Sequence, residues 1–272
     1  MKPQASIHAG PVARTVIAVL VGLFFLVPLL GAFEFTLREG RDYTGAHSFV
    51  HWAGIFDSAN AGTYRPLWIG LTNSLVLMVT TVAIVLLVLA PTMILVNLKF
   101  PRLRRAFEFL ALLPITIPAI VLVVGLVPIY QVIGRNLGTG AWTLCFAYGI
   151  LVLPFSFRSI QASIDATNMT TLAEAARSLG ASWPTVVWRV LAPNLRSGLL
   201  AASLISVAVV LGEYTIASLL NRQNLQAALI VVNHQDPFVS KVFTLLALTF
   251  CFVLLLLISR VGQAGARRKE RS

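Results

Sequence analysis

Charged residues are scarce in this 272-residue sequence: only 11% are Asp, Glu, Lys or Arg, whereas 57% are hydrophobic and the mean hydropathy is +0.84. A typical soluble domain contains about 25% charged and about 45–50% apolar residues. The composition leaves too little polar surface to cover a soluble core, which excludes an ordinary soluble domain. Apolar runs of about 18 residues or more are long enough to cross a bilayer. The sequence therefore predicts an integral membrane protein.

Cysteine is also scarce, and the histidines are not clustered. The two cysteines, Cys145 and Cys251, fall in long apolar runs and are predicted to be small packing residues. The four histidines are scattered outside these runs: His8, His47, His51 and His234. Without a Cys-x-x-Cys pair or a Cys/His cluster, neither a disulfide framework nor a metal site is predicted. A membrane-embedded enzyme would need clustered His, Asp or Glu, so no catalytic residue is assigned.

The sequence contains no P-loop. That motif, GxxxxGK[ST], needs a lysine followed by serine or threonine to bind nucleotide phosphates. Pro, Phe, Val and Glu follow the four lysines, which are Lys2, Lys99, Lys241 and Lys269. The chain is therefore predicted not to hydrolyse ATP by itself.

Six apolar runs are predicted to be transmembrane helices, because they are far longer than the roughly 9–11 residues of a barrel strand. They are 13–35, 68–97, 107–133, 142–158, 196–220 and 240–260. The first run is long enough to span and ends without a small-x-small cleavage site, so it is predicted to be retained. The predicted fold is an all-α membrane protein. Its transmembrane domain, 13–260, lies between an N-terminal tail, 1–12, and a basic C-terminal tail, 261–272.

Basic residues predict the orientation. With the N-terminus in the cytoplasm, 15 of the 21 Lys and Arg residues lie on the cytoplasmic side, and the opposite orientation would place them outside. The positive-inside rule therefore predicts that both termini are cytoplasmic. Most of the net charge of +11 lies beside span ends, where anionic lipid headgroups account for it. Membrane lipid is a predicted partner and nucleic acid is not.

This orientation leaves outer loops at 36–67, 134–141 and 221–239. The first contains HSFVHWAGIF, for which two interpretations stay open. The segment lies on the outer face of the protein, or Trp52 and Phe56 form part of an interfacial aromatic belt.

The predicted cytoplasmic loop 159–195 begins with the signals of a short helix. Thr171 and Glu174 have the spacing of a capping box, in which hydroxyl and carboxylate satisfy backbone amides of the first turn. A helix is predicted over 172–179. Gly180 then stands where a left-handed residue would end it.

A second short helix is predicted in the same loop. Ser182 is its candidate N-cap, Pro184 is tolerated in its first turn, and Pro193 closes it. An apolar stripe is predicted along it from Val186, Val187, Val190 and Leu191.

Two interpretations of this pair of helices stay open. Trp183 and Trp188 would suit an amphipathic hairpin lying on the headgroups. The other interpretation is a docking element for a soluble partner. Small side chains at Ala173, Ala175 and Ala176 favour close approach to another protein, and so favour docking.

The loop resembles a known signature. Glu174-Ala175-Ala176 is followed by three residues, Gly180, nine residues, Val190, one residue and Ala192-Pro193. This resembles the motif EAA-x3-G-x9-I-x-L-P of ATP-binding-cassette (ABC) importer permeases, with Val for Ile and Ala for Leu, both still apolar. The six spans, and the position of the loop between the fourth and the fifth, are also similar to type I importer permeases over 67–260.

The resemblance implies a mechanism and a set of partners. The loop would form a coupling helix that fits a groove in a cytoplasmic ATPase dimer, which binds ATP and Mg; no cofactor would bind this chain itself. Glu174 would contact the ATPase, Ala175 and Ala176 would allow close seating, Gly180 would permit the corner, and Pro193 completes the signature. A second permease subunit, an extracytoplasmic solute-binding protein and a multi-pass location in a bacterial inner membrane are also implied.

One carboxylate lies well inside a predicted span, Glu213 in VVLGEYTIASLL. A charge at that depth costs about 2.5–3.5 kcal/mol, so it should face a cavity or the bundle interior. Either Glu213 lines a substrate pathway with Tyr214, Thr215 and Ser218 and meets a cationic solute, or it bonds to neighbouring helices and stabilises the fold.

The segment GEYTIASLLNRQNLQAALI is most similar to the spermidine/putrescine branch of the permeases. This similarity favours a polyamine-like cation among small hydrophilic solutes. The alternative function is an ion-coupled secondary transporter that works without an ATPase. Such a protein would show internal inverted repeats and several intramembrane ionisable residues, and the sequence shows neither.

Overall fold

The computed structural model describes residues 10–40 and 46–269, where the regular secondary structure is helical and one isolated β-bridge joins Arg38 and His47. The helices are α1 (Pro11–Leu37), α2 (Val50–Gly54), α3 (Ala61–Ile84), α4 (Ala90–Lys99), α5 (Arg104–Thr116), α6 (Ala119–Leu137), α7 (Cys145–Asp165), α8 (Met169–Ser178), α9 (Trp183–Thr185), α10 (Ala192–Asn194), α11 (Arg196–Gly212), α12 (Thr215–Leu219), α13 (Leu225–Gln235) and α14 (Pro237–Lys269). The predicted all-α class is confirmed. Residues 1–9 and 270–272 of the two predicted tails lie outside the described residues.

Five helical stretches in the described ranges are long and apolar enough to cross a membrane: Val12–Leu37, Ser58–Lys99, Ala119–Leu137, Ala141–Asp165 and Pro237–Leu254. A sixth is obtained if Trp183–Asn194 and Arg196–Gly212, bent by 80°, are one broken span. The predicted number of spans therefore agrees with the structure, although several boundaries differ.

The third predicted span, 107–133, is wrong as one continuous helix. Helix α5 ends at Thr116, Ile117 is extended (φ −99°, ψ 124°), and α6 starts at Ala119 after Pro118. The proline ring clashes with a helical conformation of the preceding residue, which explains the break at Ile117. Only α6 is long enough to span.

The fifth span and the third outer loop also need correction. Helix α11 stops at Gly212 rather than running through the predicted 196–220, and Glu213 is extended (φ −82°, ψ 125°). The predicted loop 221–239 contains the helix α13, whose Leu225 and Val232 are fully buried. The missed signal is Asn224, a good N-cap residue directly before the apolar run.

Two π-helical segments interrupt the long helices, at Val85–Leu89 and Val186–Leu191. Each is followed by an alanine and then a proline, Pro91 in the first case and Pro193 in the second. Proline lacks the backbone N–H and its ring clashes with the carbonyl four residues earlier. A wider π turn gives that carbonyl room, so the Leu-Ala-Pro sequences and the π segments have one physical origin.

The chain forms two compact units. One contains the described residues of Met1–Tyr64 with Val232–Leu246, and the other those of Arg65–Val231 with Ala247–Ser272.

In the first unit, the predicted outer-loop segment packs on the end of α1. Trp52 Nε1 donates to Thr36 Oγ1 over 3.0 Å and the Trp52 ring contacts Phe33, whereas Phe56 is 80% exposed. The ring of Phe238 stacks on His51, with 4.4 Å between centroids. Of the two predicted belt residues, only Phe56 projects from the surface.

In the second unit, α7 and α11 lie in very close contact. Gly198, Ala202 and Ser206 of α11 recur every four residues and are all buried. The Ser206 hydroxyl lies 3.3 Å from that of Ser156 on α7. Small residues at this spacing let membrane helices approach closely and hydrogen-bond across the contact.

Gly198 sets the closest approach, and we expect Gly198→Ala to destabilise the protein. A Cβ atom there would lie 2.6 Å from the Ser159 carbonyl oxygen and 2.7 Å from Ser163 Cβ. Overpacking of this kind costs about 1–3 kcal/mol. The measurement is the apparent Tm in mild detergent.

Gly125→Ala in α6 is the matched control, because a Cβ atom at Gly125 meets nothing within 4 Å. This substitution should keep or slightly raise the apparent Tm, since alanine is the better helix former. Equal Tm values for the two variants would contradict the close contact of α7 with α11.

Candidate functional sites

The predicted cytoplasmic loop contains α8, which starts earlier than predicted. Asn168 precedes its first residue, Met169, and makes no side-chain capping bond, while Leu172 N already donates to the Asn168 carbonyl. Thr171 therefore lies inside the helix, and the predicted capping box with Glu174 is wrong. The helix is instead fixed by burial of Met169 and Ala173 in a core cluster with Ile160 of α7.

The corner after α8 has the predicted left-handed glycine. Gly180 has φ +84°, its N–H donates to the Arg177 carbonyl, and Ala181 N–H donates to the Ala176 carbonyl. These two bonds form a Schellman motif, which satisfies carbonyls that the helix end leaves free. A side chain with a Cβ atom is strained at this φ, so Gly180 is the residue that makes the corner tight.

The second helix of the loop runs over 183–194 and includes the second π segment. Val186, Val187 and Leu191 of its predicted apolar stripe are buried, which confirms the stripe. Pro193 lies within the last turn and the helix ends one residue later, where the chain bends by 80° into α11. Ser182 precedes the helix but makes no side-chain bond to a backbone N–H.

Trp183 connects the loop to the end of the second predicted span. The Lys99 ammonium lies 4.2 Å from the centre of the Trp183 ring, and the Arg177 guanidinium lies 5.5 Å from it. Such cation–π contacts contribute about 0.5–1 kcal/mol at exposed sites. Trp183, on the second loop helix, therefore contacts both α8 and the end of α4. Trp188, in contrast, is 46% exposed.

The outer face of α8 is exposed. Glu174 and Ala175 are exposed, and within the described ranges the Glu174 side chain has no hydrogen-bond or ion-pair partner. Ala173 and Ala176 instead face the core cluster, so of the three alanines only Ala175 can seat a partner directly.

Leu179, beside the corner, is 89% exposed and was not predicted as a site residue. The signal in the sequence is a leucine in the last turn, directly before the left-handed glycine. The resulting surface of α8, which we call the docking face, consists of Glu174, Ala175, Ser178 and Leu179.

Glu213 occupies the break between α11 and α12, where its side chain is buried with 8% exposure. Its carboxylate accepts hydrogen bonds from Tyr148 Oη at 2.9 Å, Ile216 N at 2.7 Å and Ala217 N at 3.3 Å. The last two are backbone donors of the first turn of α12, which no helical carbonyl satisfies. Glu213 therefore caps α12 and connects it to α7.

Two residues that sequence reasoning missed complete this network. Asn224 donates through Nδ2 to Tyr148 Oη, at 3.0 Å, and to the Glu213 carbonyl. Its Oδ1 accepts from Ala227 N at 2.9 Å and so caps α13. Tyr148 itself is fully buried in α7. A tyrosine inside a predicted span is a usable signal, because its hydroxyl needs a partner when buried.

The other predicted pathway residues are not part of the Glu213 network. Tyr214 and Ser218 are exposed and line a cavity of about 510 Å³, whereas Thr215 starts α12 outside that lining. The structure thus separates the buried Glu213 from Tyr214 and Ser218. No group of three or more His, Cys, Asp or Glu side chains suited to a metal occurs in the described part of the chain.

Several helices of the described ranges are long and apolar enough to cross a membrane, as expected of a multi-span membrane protein. The family profile of the binding-protein-dependent transport system inner membrane component matches residues 92–271. The chain belongs to this family, and is a membrane-spanning permease component of an ABC importer.

A solved structure provides an independent comparison of the fold. The chain is similar to a bacterial ABC transporter involved in the import of the acidic polysaccharide alginate, with a TM-score of 0.60 and 18% identity over 93% of this chain and 98% of that chain. At this identity the likeness concerns the fold alone. No curated protein matches the chain by sequence.

Proposed function

We propose that this permease component moves a small hydrophilic solute across the membrane and is driven by a separate ATPase that binds the docking face. In this proposal the ATPase dimer binds ATP and Mg, a second permease subunit completes the pathway, and an extracytoplasmic binding protein delivers the solute. The observation that supports it best is the docking face itself. It presents an unpaired carboxylate and a leucine on a helix whose opposite face is buried.

The way α8 is anchored supports a mechanical role. Its inner face packs through Met169 and Ala173 against the cluster that also contains Met93 and Ile94 of α4 and Ile164 of α7. A closely packed core transmits displacement, whereas a mobile loop would absorb it. A push on α8 would therefore reach the ends of α4 and α7, and through the 80° bend it would reach α11.

The solute is proposed only at the level of a small hydrophilic molecule. The polyamine-like cation that the sequence favours needs a carboxylate able to contact it. Glu213 was the candidate, and its carboxylate accepts three hydrogen bonds from the protein itself. A polyamine-like cation as the solute is therefore supported by sequence similarity alone.

The test is purification of the chain from native membranes in mild detergent, with identification of co-purifying proteins and an ATPase assay. We expect a P-loop protein to co-purify and its ATPase activity to rise when a solute-binding protein is added. A chain that purifies alone and transports without ATP would overturn the proposal in favour of the ion-coupled secondary transporter.

A further inference from the structure

The cavity beside α12 has a mixed lining of five polar and five apolar residues. Its polar side chains are those of Tyr214, Ser218, Asn221, Arg222 and Gln223, and none of its lining residues is acidic. Hydroxyl, amide and guanidinium groups all donate hydrogen bonds, and Arg donates without accepting. The Gln223 amide already donates to the Pro66 carbonyl at 3.0 Å, so the groups left to a ligand are two hydroxyls, the Asn221 amide and the permanent positive charge of Arg222.

Arg222 is held in this cavity by the backbone. Asn221 is left-handed (φ 52°), its N–H donates to the Ser218 carbonyl, and Arg222 N–H donates to the Ala217 carbonyl. This is the same Schellman geometry as at Gly180, and it directs the chain sharply away from α12. The position of Arg222 thus follows from how α12 ends.

The guanidinium of Arg222 is only partly satisfied. Its Nε atom is shielded from solvent without a hydrogen-bond partner, and within the described ranges Arg222 forms no ion pair. A buried donor without a partner destabilises a protein, and more so when the group is charged. Arg222 as a whole is only half-buried and lines the cavity, so the part of its guanidinium that a ligand could reach is not the shielded Nε atom.

Two further arginines stand next in the sequence to residues at the site. Nη2 of Arg222 lies near Gly134 of α6, at 3.9 Å from the position of a Cβ atom there, and the next residue is the exposed Arg135. Arg65, exposed and also without an ion pair in the described residues, precedes the lining residue Pro66. These neighbouring charges favour an anion over a cation at the cavity.

None of the described acidic residues of the same unit lines this cavity. The described part of the unit contains four: Glu108, Asp165, Glu174 and Glu213. The first three lie on the predicted cytoplasmic side, where Asp165 pairs with Arg104 at 2.8 Å. Glu213 is bonded to α7 and α12.

We infer that the Arg222 cavity binds an anionic group of the transported solute, such as a phosphate, phosphonate or carboxylate. This inference rests on the proposed transport function and specifies its solute class. Arg222 donates to the anion oxygens, and the hydroxyls of Tyr214 and Ser218 and the Asn221 amide add further donors. Guanidinium groups match these planar or tetrahedral oxyanions well.

The test uses the full-length chain in nanodiscs of phosphatidylcholine and follows its apparent Tm with added inorganic phosphate, at matched ionic strength in chloride. With phosphate about ten times above Kd, we expect a rise of about 3–6 °C. Arg222→Gln should abolish the rise, and Arg222→Lys should reduce it, since lysine keeps the charge without the fork of donors. Arg102→Gln, an exposed arginine of the predicted cytoplasmic side, is the matched control and should keep it.

Ser218→Ala keeps the test decisive if Arg222→Gln does not fold, because Ser218 is exposed and its loss should still reduce the phosphate-dependent rise. Three results would overturn the inference. They are a rise with spermidine instead of phosphate, a phosphate effect that is equal in the wild type and in all cavity variants, and an Arg222-dependent rise only with phosphatidylglycerol. The last result would identify the ligand as a lipid headgroup.

Failure of the anion site can be distinguished from failure of the proposed transport function. An active ATPase complex without an Arg222-dependent phosphate effect would refute the anion site and leave the transport function standing. An Arg222-dependent phosphate effect, combined with a chain that purifies from native membranes without an ATPase and transports without ATP, would do the reverse.

Discussion

Glu174→Lys should abolish coupled transport while the protein stays folded in the membrane. Glu174 is exposed and unpaired within the described ranges, so its replacement disturbs no contact of the chain itself. A reversed charge at a docked site costs about 2 kcal/mol or more, which corresponds to a loss of about 30-fold or more in ATPase binding. The measurement is solute uptake by proteoliposomes, together with co-purification of the ATPase.

Glu108→Lys is the matched control for this result. Glu108 is also exposed, lies on α5 near the same predicted side of the membrane, and undergoes the same charge reversal. Uptake by this variant should remain within about two-fold of the wild type, because an isolated surface charge contributes little. Wild-type uptake by Glu174→Lys would remove the docking interpretation.

Leu179 provides a second, apolar probe of the same face. Burying a leucine against a partner contributes about 1.5–3 kcal/mol, so Leu179→Ser should also weaken ATPase binding. Leu179→Met keeps the apolar area and should bind normally. A lipid-facing Leu179 would give normal ATPase binding in both variants, which would restrict the docking face to Glu174, Ala175 and Ser178.

Glu213→Ala should cause the largest loss of stability. Removing the carboxylate leaves the Tyr148 hydroxyl and the amides of Ile216 and Ala217 without an acceptor in a buried site. Each unsatisfied buried donor costs about 1–3 kcal/mol, so a total of about 3 kcal/mol or more is expected. The apparent Tm in detergent should fall by about 6–12 °C.

Glu213→Gln distinguishes the structural role from a substrate role. The amide keeps one acceptor oxygen and turns an NH2 group toward donors, so a capping role predicts an intermediate fall in Tm. A cation-binding role predicts an unchanged Tm and a raised KM for a cationic solute. Glu108→Ala, the same truncation at an exposed site, should leave the apparent Tm unchanged and serves as the control.

The two candidate sites resemble each other in construction. In each, a short helix ends in a Schellman motif with a left-handed residue, Gly180 after α8 and Asn221 after α12. Each motif places the functional side chains at a sharp corner, Glu174 and Leu179 in one case and Arg222 in the other. Asparagine tolerates the left-handed conformation, although at a greater cost than glycine.

Much of this protein is determined by its sequence alone. The long apolar runs dictate membrane helices because their backbone must be satisfied without water, and fifteen of the 21 basic residues predict the orientation. The corner at Gly180 and the stripe with Val186 and Leu191 were also predictable. The corner depends on the conformational preference of glycine, and the stripe depends on the helical periodicity of apolar residues. Both are properties of residues close together in the sequence.

Other features depended on contacts between residues distant in the sequence. The apolar pattern continues across Pro118 and Glu213, so periodicity alone gave no signal for the two helix breaks. Glu213 leaves the helix because Tyr148, 65 residues earlier, and the amides of α12 surround its carboxylate. The start of α8 was likewise determined by burial of Met169 and Ala173 rather than by a cap. Only the tertiary structure decided these points. A hydrogen-bond partner of a buried carboxylate, and apolar side chains that bury the first turn of a helix, come from parts of the chain that are distant in the sequence.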